Sequence, residues 1–384
     1  MLLIHKGLDN LDLAYCLQLS KGVTEQFDNA KAQAAKQNNP IAVKINDVWF
    51  NFAPTGAAGG YAYRMDTGPL GEIWCFKRPS PRDPWGVRVS VSAVRLALHG
   101  LKKTREHLED VLRKLEMNPK PGDESIARVD FAMDFLYPEL ELDERHFIRH
   151  PRSSHSKHGA MMPEVYRESG SGGRVTGLTI GKNPGRQIIV YDKRNEVIQT
   201  GKSHWLEIWN QNRKAMDLPP LDITDPTKSR VWRVELRAYK KHLKDDCQIK
   251  TWSDLQRGMV DMFMAMTDDV RFQVPTADSN RSRWPNHPLW DRVRSEINDH
   301  LMSVQSFASA ESIKELMRSE RDQMIQKQID GCLISRAGLN GIADDGLEDF
   351  IRYALEESLE SFRRFQNRTD RKLQEARDRY VGLR

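Results

Sequence analysis

Residues 125–135 have the sequence SIARVDFAMDF, in which apolar and polar side chains alternate. Successive side chains of a β-strand point to opposite faces, so this stretch predicts a strand with one apolar and one charged face. The apolar face would carry Val129, Phe131, Met133 and Phe135. The charged face would carry Arg128, Asp130, Ala132 and Asp134. A strand face that meets only solvent more often carries Thr, Ser and Lys, so the two aspartates indicate a functional site.

A second stretch, residues 231–238 with the sequence VWRVELRA, shows the same alternation. Its apolar side chains are Trp232, Val234, Leu236 and Ala238. Its polar side chains are Arg233, Glu235 and Arg237, and Tyr239 joins them if the strand is one residue longer. Two strands of this kind predict a sheet that buries one face and binds phosphate groups with the other.

The remaining patterns mix strands and helices along the first 280 residues. Alternation predicts further strands at 41–52, 71–77 and 87–91 and a hairpin from 175 to 192. Apolar residues three and four positions apart predict helices at 101–117, 203–216, 309–329 and from 346 onward. We therefore predict an α+β fold, with a catalytic domain at 1–280 built on an antiparallel β-sheet with flanking helices. An α-helical C-terminal region with a basic end would follow at 281–384.

The composition excludes several classes of protein. The chain has 384 residues, with 59 lysines and arginines and 54 aspartates and glutamates, which is typical of a folded protein. No apolar run approaches the roughly 18 residues needed to cross a bilayer, and the N-terminus does not resemble a signal peptide. The four cysteines are isolated, which argues against a disulfide framework and against a zinc ribbon. We therefore expect a cytoplasmic protein without a membrane partner.

The net charge of +5 is unevenly distributed. Residues 361–384 hold eight cations and three anions, and residues 145–202 hold eleven lysines and arginines and four acids. Two basic zones on an otherwise acidic chain are typical of a protein that binds a polyanion. A solvated helix face and a basic loop would give the same pattern, and charge alone does not separate the two interpretations.

The acids on the predicted charged face suit a divalent cation. Asp130 and Asp134 would lie roughly 13 Å apart along a strand, too far to share one metal by themselves. Glu235, Glu196 and Asp192 come from other segments and would complete a ligand set. Carboxylate oxygens are hard ligands that favour Mg²⁺ or Mn²⁺ over zinc. Taken singly, each acid is more often a surface or salt-bridge residue.

Three segments resemble motifs of the replication initiation factor family, which comprises rolling-circle plasmid initiators, relaxases of conjugative elements and some filamentous-phage replication proteins. Residues 127–135, ARVDFAMDF, resemble its R-I-D-x-A-x-D strand. Residues 179–181 and 186–196, TIG and RQIIVYDKRNE, resemble its G…R-x-Y-D-K-x-x-E hairpin. Residues 233–237, RVELR, resemble its R-x-E-x-R strand. The three segments follow the family's order and span about residues 120–245.

The resemblance implies an enzyme that nicks and rejoins one DNA strand at an origin. A tyrosine hydroxyl would attack a phosphodiester and leave a covalent 5′-phosphotyrosine and a free 3′-hydroxyl, with Mg²⁺ or Mn²⁺ as the cofactor. We therefore expect a rolling-circle replication initiator, a tyrosine-dependent DNA endonuclease and strand transferase of a plasmid or phage. Its partner would be single-stranded or cruciform origin DNA. A host helicase and a second copy of the chain, forming a homodimer, are further candidate partners.

Other functions remain compatible with the sequence. A conjugative-element relaxase would use the same chemistry. A non-catalytic origin-binding or regulatory protein would keep the fold without the reaction, and a carboxylate-metal nuclease would use water and form no covalent intermediate. The presence of Asp130, Glu196 and Glu235 favours an enzyme, because a degenerate copy would not require all three.

Carried onto this sequence, the resemblance assigns metal ligands and a nucleophile. The predicted metal ligands are Asp130, Glu196, Glu235 and Asp134. The family's nucleophile lies downstream of the R-x-E-x-R strand, which favours Tyr239. Tyr191, inside the hairpin motif, is the second candidate, and it would otherwise be a packing residue. Lys193 and Arg237 complete the predicted catalytic set.

Cations near these segments are predicted to bind the DNA backbone. On the sheet they are Arg128, Arg186 and Arg233. A basic segment, which we interpret as a phosphate-contacting loop rather than a histidine metal site, contributes Arg149, Arg152, His155, Lys157 and His158. The basic end contributes Arg363, Arg364, Arg368, Arg371 and Lys372. Trp284 and Trp290 would either stack on unpaired bases or anchor a domain interface.

Overall fold

One large antiparallel sheet organises the chain. The structure is a computed structural model that describes residues 1–149, 166–171 and 174–383. Its strands are β1 (Leu2–Tyr15), β2 (Ile41–Ile45), β3 (Val48–Phe52), β4 (Tyr63–Asp66), β5 (Glu72–Phe76), β6 (Val87–Val91), β7 (Glu124–Leu136), β8 (Phe147–Arg149), β9 (Tyr166–Ser171), β10 (Arg174–Gly181), β11 (Arg186–Asp192), β12 (Val231–Tyr239) and β13 (Val270–Phe272). Within the described ranges, eleven strands form one sheet in the order β2-β3-β4-β5-β6-β1-β7-β12-β11-β10-β9, while β13 pairs with β8. The predicted α+β fold on an antiparallel sheet is confirmed.

Helices flank this sheet and dominate the end of the chain. They are α1 (Lys21–Gln37), α2 (Ala93–Lys114), α3 (Lys193–Thr200), α4 (His204–Lys214), α5 (Pro226–Ser229), α6 (Trp252–Asp269), α7 (Pro288–Glu296), α8 (Ala310–Leu339), α9 (Leu347–Arg364) and α10 (Gln366–Arg379). In the described part of the chain, no helix is long and apolar enough to cross a membrane.

The centre of the sheet is built from strands that are distant in sequence. β7 pairs with β1 on one side and with β12 on the other. Asp130 of β7 therefore lies opposite Asn10 of β1 and opposite Arg237 of β12. Because β12 pairs with β7 antiparallel and without a register shift, the charged faces of β7 and β12 become one continuous surface.

The apolar face of the sheet forms the main core. Val129, Phe131, Met133 and Phe135 are fully buried, as the alternation predicts. Phe131 contacts Phe263 of α6 with ring centroids 5.6 Å apart. Phe27 of α1 makes edge contacts with four rings on neighbouring strands, namely Phe50, Phe52, Tyr63 and Phe76. Burial of this apolar area is the main stabilising contribution to the fold.

A second, smaller core covers one end of the charged face. α4 contributes three buried apolar side chains, Trp205, Ile208 and Trp209. They pack with Ile4 of β1 and Val231 of β12. The charged face is therefore closed off at this end, whereas Tyr239, at the other end of β12, is only half-buried.

The kink in α2 explains why the predicted helix at 101–117 starts too late. Gly100 has a φ of +66°, which breaks the helical spacing inside α2. Before the kink, Val94, Ala97 and Leu98 pack in the smaller core and Leu96 packs in the main core, whereas Leu101 and Leu108 after it pack in the main core. The apolar periodicity therefore changes phase at Gly100, and the sequence pattern shows a single helix only after it.

Other differences from the prediction have local causes. The predicted strand at 41–52 is two strands, β2 and β3, because Asn46 and Asp47 adopt positive φ and form a tight turn. The structure also contains α1 and α6, which the sequence patterns do not predict, and β1, which alternation does not predict although residues 5–11 resemble an early strand of the family. Alternation in β1 is interrupted by irregular pairing at three points, and α1 buries small alanines that give a weak apolar signal.

The helix α7, which follows the predicted boundary at 281, packs in the main core. Leu289, Trp290 and Val293 of α7 are fully buried there. The Trp290 indole N–H donates to the carbonyl of Thr267, so Trp290 is a packing residue in this structure. Exposed helices begin with α8, and the predicted domain boundary at 281 stays a prediction.

Candidate active site

Four charged side chains meet where β7 and β12 lie side by side. Arg237 Nε donates to Glu235 Oε1 at 2.7 Å and lies 3.7 Å from Asp130 Oδ2. Arg128 Nε donates to Asp130 Oδ1 at 3.0 Å, and its Nη2 contacts the other carboxylate oxygen. Both carboxylates are buried, with exposed fractions of 0% for Asp130 and 1% for Glu235. We call these four residues the carboxylate cluster.

Burial and the nearby carboxylate of Glu235 disfavour the charged form of Asp130 in the cluster. Burial and this carboxylate together raise the pKa of Asp130 to about 7, against the opposing effect of Arg128 and Arg237. Burial lowers the pKa of Arg237, but the carboxylates of Glu235 and Asp130 raise it, and the net pKa is above its usual value. Among the described residues, Glu235 Oε2 is a buried acceptor without a hydrogen-bond partner. A buried carboxylate oxygen without a hydrogen-bond partner is a candidate for binding a cation or a substrate.

Tyr239 lies on the same face at the end of β12. It pairs with Arg128 across the strands, and the Arg128 guanidinium lies 5.1 Å from the centroid of its ring. The Tyr239 hydroxyl donates to Gln187 Oε1 of β11 at 2.8 Å. The phenol is thus oriented by one hydrogen bond and lies next to a cation of the carboxylate cluster.

Asp134, another predicted metal ligand, is engaged in a buried ion pair. Arg233 Nε lies 2.6 Å from Asp134 Oδ1, and its Nη1 lies 2.6 Å from Asp9 Oδ1. The indole N–H of Trp209 donates to Asp134 Oδ2 at 2.7 Å. Burial raises and Arg233 lowers the pKa of Asp134, and the net pKa is below its usual value. Arg233 itself is fully buried under the ring of Trp205, so it does not present its charge to DNA in this structure.

Glu196 lies on α3 rather than on a strand. Asp192 ends β11 and caps this helix by accepting from the backbone N–H of Asn195, which makes residues 193–200 helical. Glu196 is bound by two lysines, with Lys193 Nζ at 2.5 Å and Lys202 Nζ at 2.6 Å. The structure thus pairs Glu196 with cations and does not bring it together with Asp130. In the described ranges, no three His, Cys, Asp or Glu side chains are grouped closely enough to hold one metal.

Tyr191 lies beside Lys193 at a separate pocket. The Lys193 ammonium donates to the Tyr191 hydroxyl at 3.4 Å, and burial and Arg233 lower the pKa of Lys193. Burial, with the carboxylates of Glu235 and Asp9, raises the pKa of Tyr191 well above 10. Tyr191 lines a pocket of about 260 Å³ between β10, β11 and α3, together with Glu196. The surroundings of Tyr191 therefore disfavour its phenolate.

The predicted DNA-binding cations are distributed over several places. Arg152, His155, Lys157 and His158 lie outside the described residues, and Arg149 ends β8. Arg186 forms an ion pair with Asp269. The basic residues of the C-terminal end are exposed on α9 and α10. Among the predicted DNA-binding cations that the structure describes, Arg128 belongs to the carboxylate cluster.

The sequence analysis missed three residues that shape this face. Asp9 and His5 come from β1, and Trp209 comes from α4. His5 is buried beside Trp205, and burial lowers its pKa to about 4. The register of β1 on β7 shifts between Leu8 and Asn10, so simple alternation along the sequence does not place Asp9 on the charged face. No local pattern connects Trp209 with Asp134, because 75 residues separate them.

The carboxylate cluster is compatible with one divalent cation. Mg²⁺ in proteins is commonly held by one or two carboxylates, with water and substrate phosphate completing its coordination. Asp130 and Glu235 supply two such carboxylates, and the unpartnered Glu235 Oε2 is a donor atom that a cation would satisfy. These two acids, rather than all four predicted ones, fit a metal in this structure.

Comparisons with solved structures find chains that resemble this one. The chain is similar to a rolling-circle replication initiator protein from Geobacillus stearothermophilus, with a TM-score of 0.40 and 13% sequence identity. The similarity covers 79% of this chain and 98% of the other. No protein-family model matches the chain, and no curated protein matches it.

Proposed function

We propose that the chain nicks and rejoins one DNA strand at a rolling-circle replication origin, with Tyr239 as the nucleophile. One observation carries the proposal. Two buried carboxylates, Asp130 and Glu235, share the guanidinium of Arg237 on the same sheet face as a half-buried tyrosine. The motif resemblance at 127–135, 186–196 and 233–237 supports the same chemistry.

The carboxylate cluster would bind the scissile phosphate together with a divalent cation. Asp130 and Glu235 would hold Mg²⁺ or Mn²⁺, which would polarise the phosphate and offset its negative charge when bound. Arg128 and Arg237 present planar guanidinium groups, which match the geometry of phosphate oxygens. Both arginines are half-buried, so they are partly desolvated and remain accessible to a ligand.

The reaction would consist of one reversible exchange of phosphodiester bonds. The Tyr239 oxygen forms a bond to phosphorus and loses its proton, and the bond from phosphorus to the 3′ oxygen breaks. That oxygen takes up a proton and becomes a free 3′-hydroxyl. The 5′ phosphate stays on the tyrosine, so a 3′-hydroxyl can attack it and restore the strand.

Tyr239 is favoured over Tyr191 by its surroundings. A nucleophilic phenol reacts through its anion, which nearby cations stabilise. The Arg128 guanidinium lies over the Tyr239 ring, and Gln187 accepts the hydroxyl hydrogen bond without adding negative charge. Burial raises the pKa of the Tyr191 hydroxyl, and the nearby carboxylates of Glu235 and Asp9 add to this effect, although Arg233 opposes it.

A trapping experiment tests the proposal. The protein is incubated with Mn²⁺ and single-stranded oligonucleotides from the replicon that encodes it. We expect a protein–DNA band that survives denaturation, carrying a label from the 3′ end of the oligonucleotide and not from the 5′ end. Tyr239→Phe should abolish the band, and the matched variant Tyr191→Phe should retain it.

Each other outcome of this experiment has a definite meaning. A band that is lost in Tyr191→Phe and kept in Tyr239→Phe would overturn the assignment of the nucleophile. Cleavage without a covalent band would indicate a nuclease that uses water. Tight DNA binding without cleavage at any metal or sequence would favour a non-catalytic origin-binding protein. Cleavage restricted to a transfer origin would indicate a conjugative relaxase.

A further inference from the structure

Three side chains with complementary chemistry lie together just after the end of β12. Residues His242–Asp246 form one turn of π-helix, which the backbone N–H of Cys247 closes by donating to the carbonyl of His242 at 3.1 Å. His242 Nδ1 lies 2.7 Å from Asp246 Oδ2, and His242 Nε2 lies 3.6 Å from Cys247 Sγ. We call His242, Asp246 and Cys247 the thiol triad. Turns of π-helix frequently occur at functional sites, and the proposed DNA strand exchange uses none of these three residues.

The contacts within the thiol triad fix which nitrogen of His242 can accept a proton. A carboxylate only accepts hydrogen bonds, so the Nδ1 atom that faces Asp246 carries the hydrogen of the neutral ring. Nε2 is then the acceptor, and the Cys247 thiol donates to it. A nucleophile, a base and an acid that orients the base thus lie in hydrogen-bond contact, each with the next. This arrangement activates nucleophilic cysteines and serines.

The surroundings of the thiol triad favour the neutral forms of both partners at rest. Burial lowers the pKa of His242, against the opposing effect of its hydrogen bond with Asp246, so Nε2 can accept a proton at neutral pH. Cys247 is half-buried, and burial and Asp246 raise the pKa of its thiol, whereas Arg186 lowers it. The thiol is therefore protonated at rest, and it becomes a strong nucleophile when its proton moves to His242.

We propose that Cys247 is a reactive thiol that small hydroperoxides oxidise to a sulfenic acid, with His242 as its base. The thiol proton moves to His242 Nε2 as the sulfur attacks the terminal oxygen of the peroxide. The oxygen–oxygen bond breaks, and the departing oxygen takes the proton from His242 and leaves as water or an alcohol. Sulfur loses two electrons, the peroxide gains them, and Cys247 keeps the attacked oxygen with its hydrogen as S–OH.

The geometry of the thiol triad suits a hydroperoxide in two respects. The half-buried sulfur of Cys247 admits a small molecule more readily than a bulky one. The oxygen that leaves a hydroperoxide also needs a proton, and the His242 ring that has just accepted one lies next to the sulfur. Asp246 would stabilise the positive charge on His242 between the two proton transfers.

The other three cysteines provide internal references. Cys75 is buried, and burial raises the pKa of its thiol. Cys16 is half-buried like Cys247, and Cys332 is exposed on α8. In the part of the chain that the structure describes, no histidine is hydrogen-bonded to Cys16 or Cys332. Exposure alone would therefore make Cys332 the most reactive thiol, whereas the thiol triad would make Cys247 the most reactive.

Oxidation of the reduced, full-length protein tests the proposal at each cysteine separately. The protein is treated with hydrogen peroxide in the presence of dimedone, which traps sulfenic acids, and mass spectrometry of its peptides gives the rate at each site. We expect Cys247 to react at least roughly tenfold faster than Cys332, because a base lies next to its thiol. Comparable rates at the two sites, or a faster reaction at Cys332, would overturn the proposal.

Variants of the thiol triad separate activation from accessibility. Asp246→Asn removes the carboxylate that orients His242 and should slow the oxidation of Cys247 by roughly tenfold, and His242→Gln should slow it further. Asp246→Glu restores a carboxylate and should recover most of the rate. Asp245→Asn is the matched control, because it makes the same change of charge at an exposed neighbour and should leave the rate unchanged.

Two features keep this test decisive. The Asp246 side chain is 65% exposed, so Asp246→Asn preserves the buried packing even if His242→Gln disturbs the fold. The rate at Cys332 should be the same in every variant, which corrects for differences in folding or in peroxide concentration. Oxidation of Cys247 that is equally fast in Asp246→Asn and in the unchanged protein would overturn the proposal, and so would an equal loss in Asp246→Asn and Asp245→Asn.

Discussion

The guanidinium of Arg233 is fully buried against the carboxylate of Asp134, with Nε 2.6 Å from Oδ1. The two residues belong to β12 and β7 and lie directly opposite each other in the sheet. Trp209 and Asp9 supply the remaining hydrogen bonds. The pair therefore stabilises the sheet beside the carboxylate cluster, although both residues also match motifs that suggest catalysis.

Removing one partner of this pair should destabilise the fold. Asp134→Asn leaves Arg233 buried with less than its full counter-charge, and we expect the free energy of unfolding to fall by about 3–5 kcal/mol. Urea unfolding followed by circular dichroism measures this change. The double variant Asp134→Leu/Arg233→Met should recover part of the loss, because it removes both charges. An unchanged midpoint for Asp134→Asn would contradict a structural role for the pair.

Metal affinity should separate the four predicted acids. Asp130→Asn and Glu235→Gln each remove a ligand from the carboxylate cluster, so Mn²⁺ binding should weaken by roughly tenfold or more. Glu196→Gln is the matched control, because Glu196 is already neutralised by Lys193 and Lys202. Calorimetric titration with Mn²⁺ measures the affinity. Equal losses in all three variants would mean that Glu196 joins the site when metal binds.

The stability of the protein should decrease in acid partly through His5. Its pKa is about 4 in the folded chain and about 6.5 when unfolded, so the unfolded state takes up the proton first as the pH falls. Neutral His5 contributes fully to the free energy of unfolding above pH 6.5. This contribution falls by roughly 3 kcal/mol as the pH decreases from 6.5 to 4. Unfolding curves of the unchanged protein and of His5→Asn at several pH values isolate this contribution. Parallel pH profiles would show that His5 does not titrate in this way.

The kink in α2 should require glycine. A Cβ at Gly100 would lie 3.0 Å from the carbonyl oxygen of Val304, and the φ of +66° is strained for other residues. We therefore expect Gly100→Ala to lower the free energy of unfolding by about 1–3 kcal/mol. Gly331→Ala in α8 is the control, since its Cβ meets nothing within 4 Å. The Gly331→Ala substitution should stabilise the chain by about 0.5–1 kcal/mol. If Gly100→Ala and Gly331→Ala changed the free energy of unfolding in the same way, the kink would not require glycine.

Local patterns in the sequence determine the two central strands and their faces. Alternation at 125–135 and 231–238 predicts strands whose apolar residues are buried, and both predictions agree with the structure. It also places Asp130, Glu235 and Tyr239 on charged faces before any pairing is known. Such patterns are visible because the side-chain period of a strand depends only on neighbouring residues.

Tertiary structure alone decides which charges neutralise each other. The register of β12 on β7 places Arg233 opposite Asp134, where the two form an ion pair. The same register places Asp130 beside Glu235 and Arg237. The cap at Asp192 turns the following residues into a helix, where lysines bind Glu196. These outcomes depend on pairing between segments far apart in the chain and on the helices that cover them, which no local pattern records. Sequence therefore predicts the strands that carry the candidate site, and long-range packing places Asp130 and Glu235, but not Asp134 or Glu196, in the carboxylate cluster.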